Sequence, residues 1–176
     1  MSLAIDLKSK LFITSSTTKP LDMSFIHQSF VSKGLDCAFK ACYTHIAEII
    51  SNIYEHSPPD SHSSVYWHIE AEQSDDSVIV EITDLGIGIF NSINRKHKTK
   101  LSPLDAFNYE INTRANPGRG YGLQTIISGV KAGDLLHFKI SSSGVALTHS
   151  ESVSASRSTI TSGTTISLAV AIGASQ

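Results

Sequence analysis

The chain has 176 residues, 40% of them hydrophobic and 17% charged, with a formal net charge of −2 and a pI near 6.4. That is the composition of a globular domain able to bury one good core, not of a disordered chain. The small negative charge and the lack of a Lys/Arg run argue against a nucleic-acid surface, and no apolar stretch approaches the roughly 18 residues of a membrane span.

The start, Met1-Ser-Leu-Ala-Ile-Asp-Leu-Lys8, has neither the basic opening nor the apolar core of a signal peptide. Cys37 and Cys42 are five apart on an expected helix and point to different faces, which disfavours a mutual disulfide. Both read as small core residues in a reducing compartment, so a cytoplasmic location is expected.

Leu11 to Ser16 has strand composition and ends at Lys19-Pro20, and Ser24 to Val31 suits a short helix broken by Gly34. Asp36 is an N-cap candidate for a long helix from Cys37 to about Glu55, where Ala38, Cys42, Ile46, Ile49 and Ile53 recur at steps of three and four. Ser57-Pro-Pro-Asp60 stops it. Val65 to Glu72 and Val78 to Asp84 read as paired strands around the polar turn 73–77. From Ile89 to Pro117 the pattern loosens, Pro103 interrupts, and only Leu104 to Ile111 hints at a helix; a connection this long reads as a functional lid. Gly120 to Lys131 resumes helical spacing and Gly133 caps it. Leu135 to Ser141, Gly144 to His149 and Thr164 to Val170 are further strands, and the serine-rich 150–162 reads as an exposed, mobile hairpin loop. Hairpin-like pairs dominate. The expected fold is therefore a two-layer α/β (α+β) sandwich with a mixed, mostly antiparallel sheet covered on one face by helices.

Three short patterns carry chemistry. Glu48 and Asn52 lie one helical turn apart on one face, at the edge of an apolar stripe. An Asn oxygen suits Mg²⁺, which prefers oxygen ligands, and a carboxylate one turn away suits a general base; two polar residues on an exposed helix edge would look the same. Asp84 ends the apolar row Val78, Val80, Ile82, and Gly86 and Gly88 follow it. There a carboxylate could accept the amino group of a flat base that the glycines let approach, or it could simply form an Asx turn. The run Gly118-Arg-Gly-Tyr-Gly-Leu123 puts glycines at 118, 120 and 122 before a helix, where exposed N–H groups and the dipole attract phosphate. It is neither a P-loop nor a dinucleotide fingerprint, since no Gly-Lys-Ser/Thr follows and no strand directly precedes it. A lid over phosphates fits better, with Arg114 and Arg119 able to add charge.

Taken together, Glu48-x-x-x-Asn52, Asp84-x-Gly86-x-Gly88 and Gly118 to Leu123 resemble the N box and the two glycine boxes of the GHKL ATPase superfamily, whose Bergerat fold is shared by DNA gyrase, a heat-shock chaperone, the mismatch-repair protein MutL and histidine kinases. Gly163-Thr164 resembles the Gly-Thr pair that starts the last strand of that fold. The likeness spans roughly residues 36–170. It implies ATP or ADP as ligand and Mg²⁺ as cofactor: Asn52 would ligate Mg²⁺, Asp84 would bind the adenine amino group beside Gly86 and Gly88, Gly118, Gly120 and Gly122 would form the lid hinge, and Arg119, Tyr121 and Leu123 would bind the nucleotide with them. Thr164 would join the nucleotide site. Glu48 would be the general base, as in the ATP-hydrolysing and serine-kinase members. His56, one turn after Asn52, would face the phosphates as in some histidine kinases and the anti-sigma serine kinases; a His at a helix C-terminus is equally well explained by the dipole.

Departures from the family set the expected role. Many histidine kinases carry Asn where Glu48 stands, no dimerisation helix pair precedes the long helix, His27 is not in a phosphoacceptor context, and no transducer domain follows. The expectation is a free-standing domain, 36–176, with a lid at about 89–119, behind an N-terminal extension, 1–35, of one strand and a short helix. That extension reads either as a dimerisation arm, giving a homodimer, or as extra cover for the sheet. The protein partner is unnamed by the sequence. An anti-sigma-type serine kinase is the most concrete reading; a slow ATPase, a nucleotide-sensing interaction module and a glycine-rich fold without nucleotide stay open. His62, His68 and His97 lack metal-ligand spacing, so no zinc is expected.

Overall fold

The computed structural model describes residues 10–17, 22–56, 64–112 and 122–172. Seven strands form one sheet: β1 (Lys10–Thr17), β2 (Val65–Gln73), β3 (Ser77–Asp84), β4 (His137–Ser142), β5 (Val145–His149), β6 (Val153–Arg157) and β7 (Thr164–Ala171), in the order β1-β2-β3-β7-β4-β5-β6. The helices among the described residues are α1 (Met23–Val31), α2 (Asp36–His56), α3 (Ile89–His97), α4 (Pro103–Asn112) and α5 (Gly122–Ala132). The molecule is α+β, compatible with a two-layer sandwich.

Every strand pair is antiparallel, which corrects the expected mixed sheet. The physical reason lies in the connections. Tight turns join β2 to β3 and β4 to β5; in the latter Ser143 and Gly144 both take positive φ, 53° and 76°, as a type I′ hairpin requires. The last strand, β7, then enters between β3 and β4 and runs against both.

Period-two alternation sorts the strands into rows across the sheet. One row reads Leu11, Ala71, Val80, Leu168, Phe138, His149; the next reads Ile13, Ile69, Ile82, Ile166, Ile140, Leu147. These side chains are buried and join the helices in one core. From α2 come the expected stripe residues Ala38, Cys42, Ile46, Ile49 and Ile53, and from α5 come Leu123, Ile126 and Ile127. The Trp67 indole is wholly buried and donates to the Tyr54 hydroxyl at 3.0 Å, tying β2 to the last turns of α2. On the opposite face Tyr66, Glu72, Ile79, Glu81 and Lys139 meet solvent, as one side of an antiparallel sheet can.

The third row changes character. Ser15, Trp67, Asp84, Thr164 and Ser142 stand side by side, and the polar members are as buried as the core. One end of the sheet's inner face is thus polar, and it is where the site forms.

Several local expectations are corrected. Residues 89–112 are not an irregular connection: α3 and α4 pack Phe90, Ile93, Ala106 and Phe107 into the core. The serine-rich segment is not a bare loop, because β6 pairs with β5 along its length; the ladder supplies what Ser and Ala lack in strand preference. Asp36 is the first residue of α2 rather than its N-cap, and its carboxylate holds Lys40 at 2.6 Å and His27 at 2.7 Å. Cys42 is in the core, where burial pushes its thiol up to about 12, but Cys37 is exposed. The strand and short helix of the N-terminal segment form as expected: β1 extends the sheet beside β2, and α1, capped by Asp22 on the Ser24 N–H at 2.9 Å, buries Ile26 and Phe30. No described helix is long and apolar enough to cross a membrane.

Candidate functional site

Asp84 ends β3 because the chain must leave the sheet there. Its carboxylate accepts the Gly86 N–H at 2.6 Å, the Asx turn its sequence position permits. The turn is then pinned from outside: the Gly163 N–H donates to the Gly86 carbonyl at 2.9 Å. Gly163 has φ +69°, and a Cβ there would sit 3.0 Å from the Asp84 carbonyl carbon and 3.2 Å from the Leu85 Cα, with the Asp84 oxygen closer still. Only glycine lets these two backbones meet.

Gly88 shows the same demand. It has φ +87°, and a Cβ would stand 2.5 Å from Ser142 Oγ and 3.0 Å from the Gly163 carbonyl oxygen, which already accepts a hydrogen bond from Ser142 Oγ at 2.7 Å. Gly88 opens α3 without a side-chain cap of its own. Thr164 substitutes, its hydroxyl accepting the Ile89 N–H at 2.9 Å. The Asp84–Gly88 and Gly163-Thr164 segments, distant in sequence, therefore build one rigid platform.

Over this platform lies a cavity of about 100 Å³. Its lining is mostly apolar, from Ile49 and Ile53 on α2, Ile89 and Ile93 on α3, Leu123 and Ile126 on α5, and Ile166 on β7; the polar walls are Asn52, Asp84, Ser92, Lys96, Glu110 and Thr164. The cleft is smaller than the roughly 300–1,000 Å³ of typical small-molecule pockets. It suits one flat ring system with a polar partner at its floor.

The residues singled out from sequence distribute unevenly. Asn52, Asp84, Gly88, Leu123 and Thr164 converge on the cavity, and Gly86 belongs to the turn beneath it. Glu48 lies one turn before Asn52, half-buried, and is not part of the lining. His56 is the last residue of α2, with its side chain outside the described residues, and Gly122 begins α5. Arg114, Gly118, Arg119, Gly120 and Tyr121 lie outside the described residues.

Sequence reading missed the charged wall. Glu110 of α4 accepts Lys96 Nζ at 2.7 Å on one oxygen and pairs with His97 Nε2 at 2.6 Å on the other. Burial alone would raise the Glu110 carboxyl, but the hydrogen bonds from Lys96 and His97 outweigh it and hold it below the ordinary carboxylate range. The α4 start did carry a signal. Ser102-Pro-Leu-Asp105 has the sequence of a capping box with Pro at the first helical position: Ser102 Oγ accepts the Asp105 N–H at 3.3 Å, and its hydroxyl donates to the Asp105 carboxylate at 2.6 Å. Between α3 and α4, Asn94 holds the linker through Leu101, accepting its N–H and donating to its carbonyl, each at 2.9 Å. No local signal marks Lys96 and Glu110 as partners, since they meet only through the α3–α4 packing.

No protein-family model and no curated protein matches this chain.

Proposed function

We propose that this chain is a Mg·ATP-binding domain of the GHKL, Bergerat type that acts on a protein partner. The observation that carries the reading is the placement of Asp84: a buried carboxylate at the floor of an apolar slot, on a platform that glycines at 88 and 163 make flat. Carboxylate oxygens accept hydrogen bonds, which favours a donor such as an exocyclic amine. The isoleucine and leucine walls favour a planar ring, whose burial is favourable at about 25 cal/mol per Å² of apolar surface. Adenine has both properties.

Asn52 supports the same reading, because it lines this cavity rather than the exposed side of α2. A single Asn oxygen fits Mg²⁺, which takes few protein ligands and keeps its waters. Asn52 would hold the ion, and bound Mg²⁺ would neutralise phosphate charge. Thr164 keeps the platform fixed through its bond to Ile89, and Leu123 closes the slot from α5.

The most concrete form is an anti-sigma-type serine kinase with Glu48 as base. A second form, a nucleotide-sensing module without catalysis, is favoured by one observation: Glu48 stands off the cavity lining. Titration calorimetry with ADP and a non-hydrolysable ATP analogue, with and without Mg²⁺, tests the shared claim. Asp84→Asn is the informative variant, since its amide oxygen still accepts the Gly86 N–H while one acceptor becomes a donor. Magnesium-dependent binding lost in Asp84→Asn at unchanged melting temperature is the expected result; equal binding by the variant contradicts it. Phosphate release that stops in Glu48→Gln while binding persists favours the kinase or ATPase form over the sensor.

A further inference from the structure

Among the described residues that line the cavity, Lys96 is the only lysine or arginine, and the lining also holds two carboxylates, Asp84 and Glu110. Its ammonium is spent on Glu110 at 2.7 Å, although nearly half of the side chain (46%) stays exposed. Glu110 is different: only 14% of its side chain is exposed, and its second oxygen is held by His97 at 2.6 Å. A covered carboxylate left without a partner is costly, so a single ion pair here would be hard to open. The doubly held Glu110 removes that obstacle. If Lys96 leaves, His97 still satisfies the acid. Lys96 also has the means to move, with a compact charge on a flexible four-carbon stem.

Resting on the nucleotide reading above, we infer that Lys96 is a phosphate-contacting residue that exchanges partners: it pairs with Glu110 in the ligand-free cleft and transfers to the phosphates of a bound nucleotide. Adenosine, which has no phosphate, would not make this contact. His97 keeps Glu110 in place and couples the exchange to the α3–α4 pair, where its ring also meets Tyr109 edge-on at 4.9 Å.

The test compares adenosine, ADP and a non-hydrolysable ATP analogue by calorimetry on the full chain and on Lys96→Met, Lys96→Arg and Glu110→Gln. Lys96→Met keeps the apolar stem and removes the charge. It is expected to weaken ADP and analogue binding about ten- to hundredfold, the range of a charge-assisted hydrogen bond, and to leave adenosine unchanged. Lys96→Arg retains most of the affinity. Glu110→Gln frees Lys96 from its resting partner, so nucleotide affinity rises, by a few-fold, while the Gln oxygen still accepts from His97. That opposite sign separates partner exchange from a merely structural bridge, for which both Lys96→Met and Glu110→Gln lower affinity together. Unchanged ADP affinity in Lys96→Met, with strong wild-type binding, overturns the inference and leaves the nucleotide reading standing. Failure of the wild-type chain to bind any of the three ligands overturns both.

Discussion

Replacing Gly163 by Ala tests whether the site platform is built as described. At φ +69° an L-residue pays roughly 1–2 kcal/mol for the left-handed conformation. The new methyl would also drive into the Asp84–Leu85 backbone, with the Asp84 carbonyl carbon 3.0 Å away and the Leu85 Cα 3.2 Å away. These are backbone atoms of a turn hydrogen-bonded to Gly163 itself, so they cannot rotate aside, and overpacking adds roughly 1–3 kcal/mol. The expected loss is about 2–5 kcal/mol, or about 4–20 °C in melting temperature for a chain of this size. Gly133→Ala is the control, because φ is +84° but a Cβ added there meets nothing within 4 Å beyond its chain neighbours. It should lose only the conformational part, about 1–2 kcal/mol. Urea denaturation of both variants decides the matter. Equal losses in the two would refute the close approach of β7 to the Asp84 turn, and with it the platform.

Phe107→Ala should cost about 3–5 kcal/mol in urea denaturation, since this α4 side chain is wholly buried against Phe138 with ring centroids 6.5 Å apart; a loss below about 0.5 kcal/mol would mean that α4 is a surface element. His45 of α2 is buried, its Nδ1 has no hydrogen-bond partner among the described residues, and a Cβ added at Gly129 of α5 would stand 2.5 Å from its Nε2. Burial pushes its pKa below the ordinary value, with Asp134 pulling the other way. The unfolded chain then takes up this proton at a higher pH than the folded one, so His45 contributes stability above about pH 6.5 that is lost as the pH falls below it. The urea midpoint should therefore drop between about pH 7 and pH 5 more steeply in the wild type than in His45→Gln, and parallel curves would refute the assignment.

The sheet and the long helix were legible because their signals are periodic. Val78, Val80, Ile82 and Asp84 announced β3 and its terminal acid, and the α2 stripe announced its buried face. The platform was half legible: Asp84-Leu-Gly-Ile-Gly88 reads as a turn and Gly163-Thr164 as the start of a strand, but nothing local says that one backbone seats against the other. That contact arises from β3–β7 pairing, a tertiary fact. The α3–α4 pair was obscured because Asn91, Ser92, Asn94 and the Arg95-Lys-His97 run dilute the apolar spacing, and because Pro103, which opens α4, looks like an interruption. The strand β6 was illegible for another reason. Val153-Ser-Ala-Ser-Arg157 has little strand preference of its own and is ordered by the β5 ladder.

Amide shift mapping by ¹H–¹⁵N spectroscopy during an ADP titration in Mg²⁺ reads nucleotide binding residue by residue. Saturable shifts are expected at Gly86, Gly88, Ile89, Leu123 and Thr164, around the cavity floor and its α5 wall, with Glu72, Glu81 and Lys139 on the opposite sheet face unmoved. Saturable shifts confined to that opposite face, or none at millimolar ADP, would contradict a nucleotide site built on Asp84.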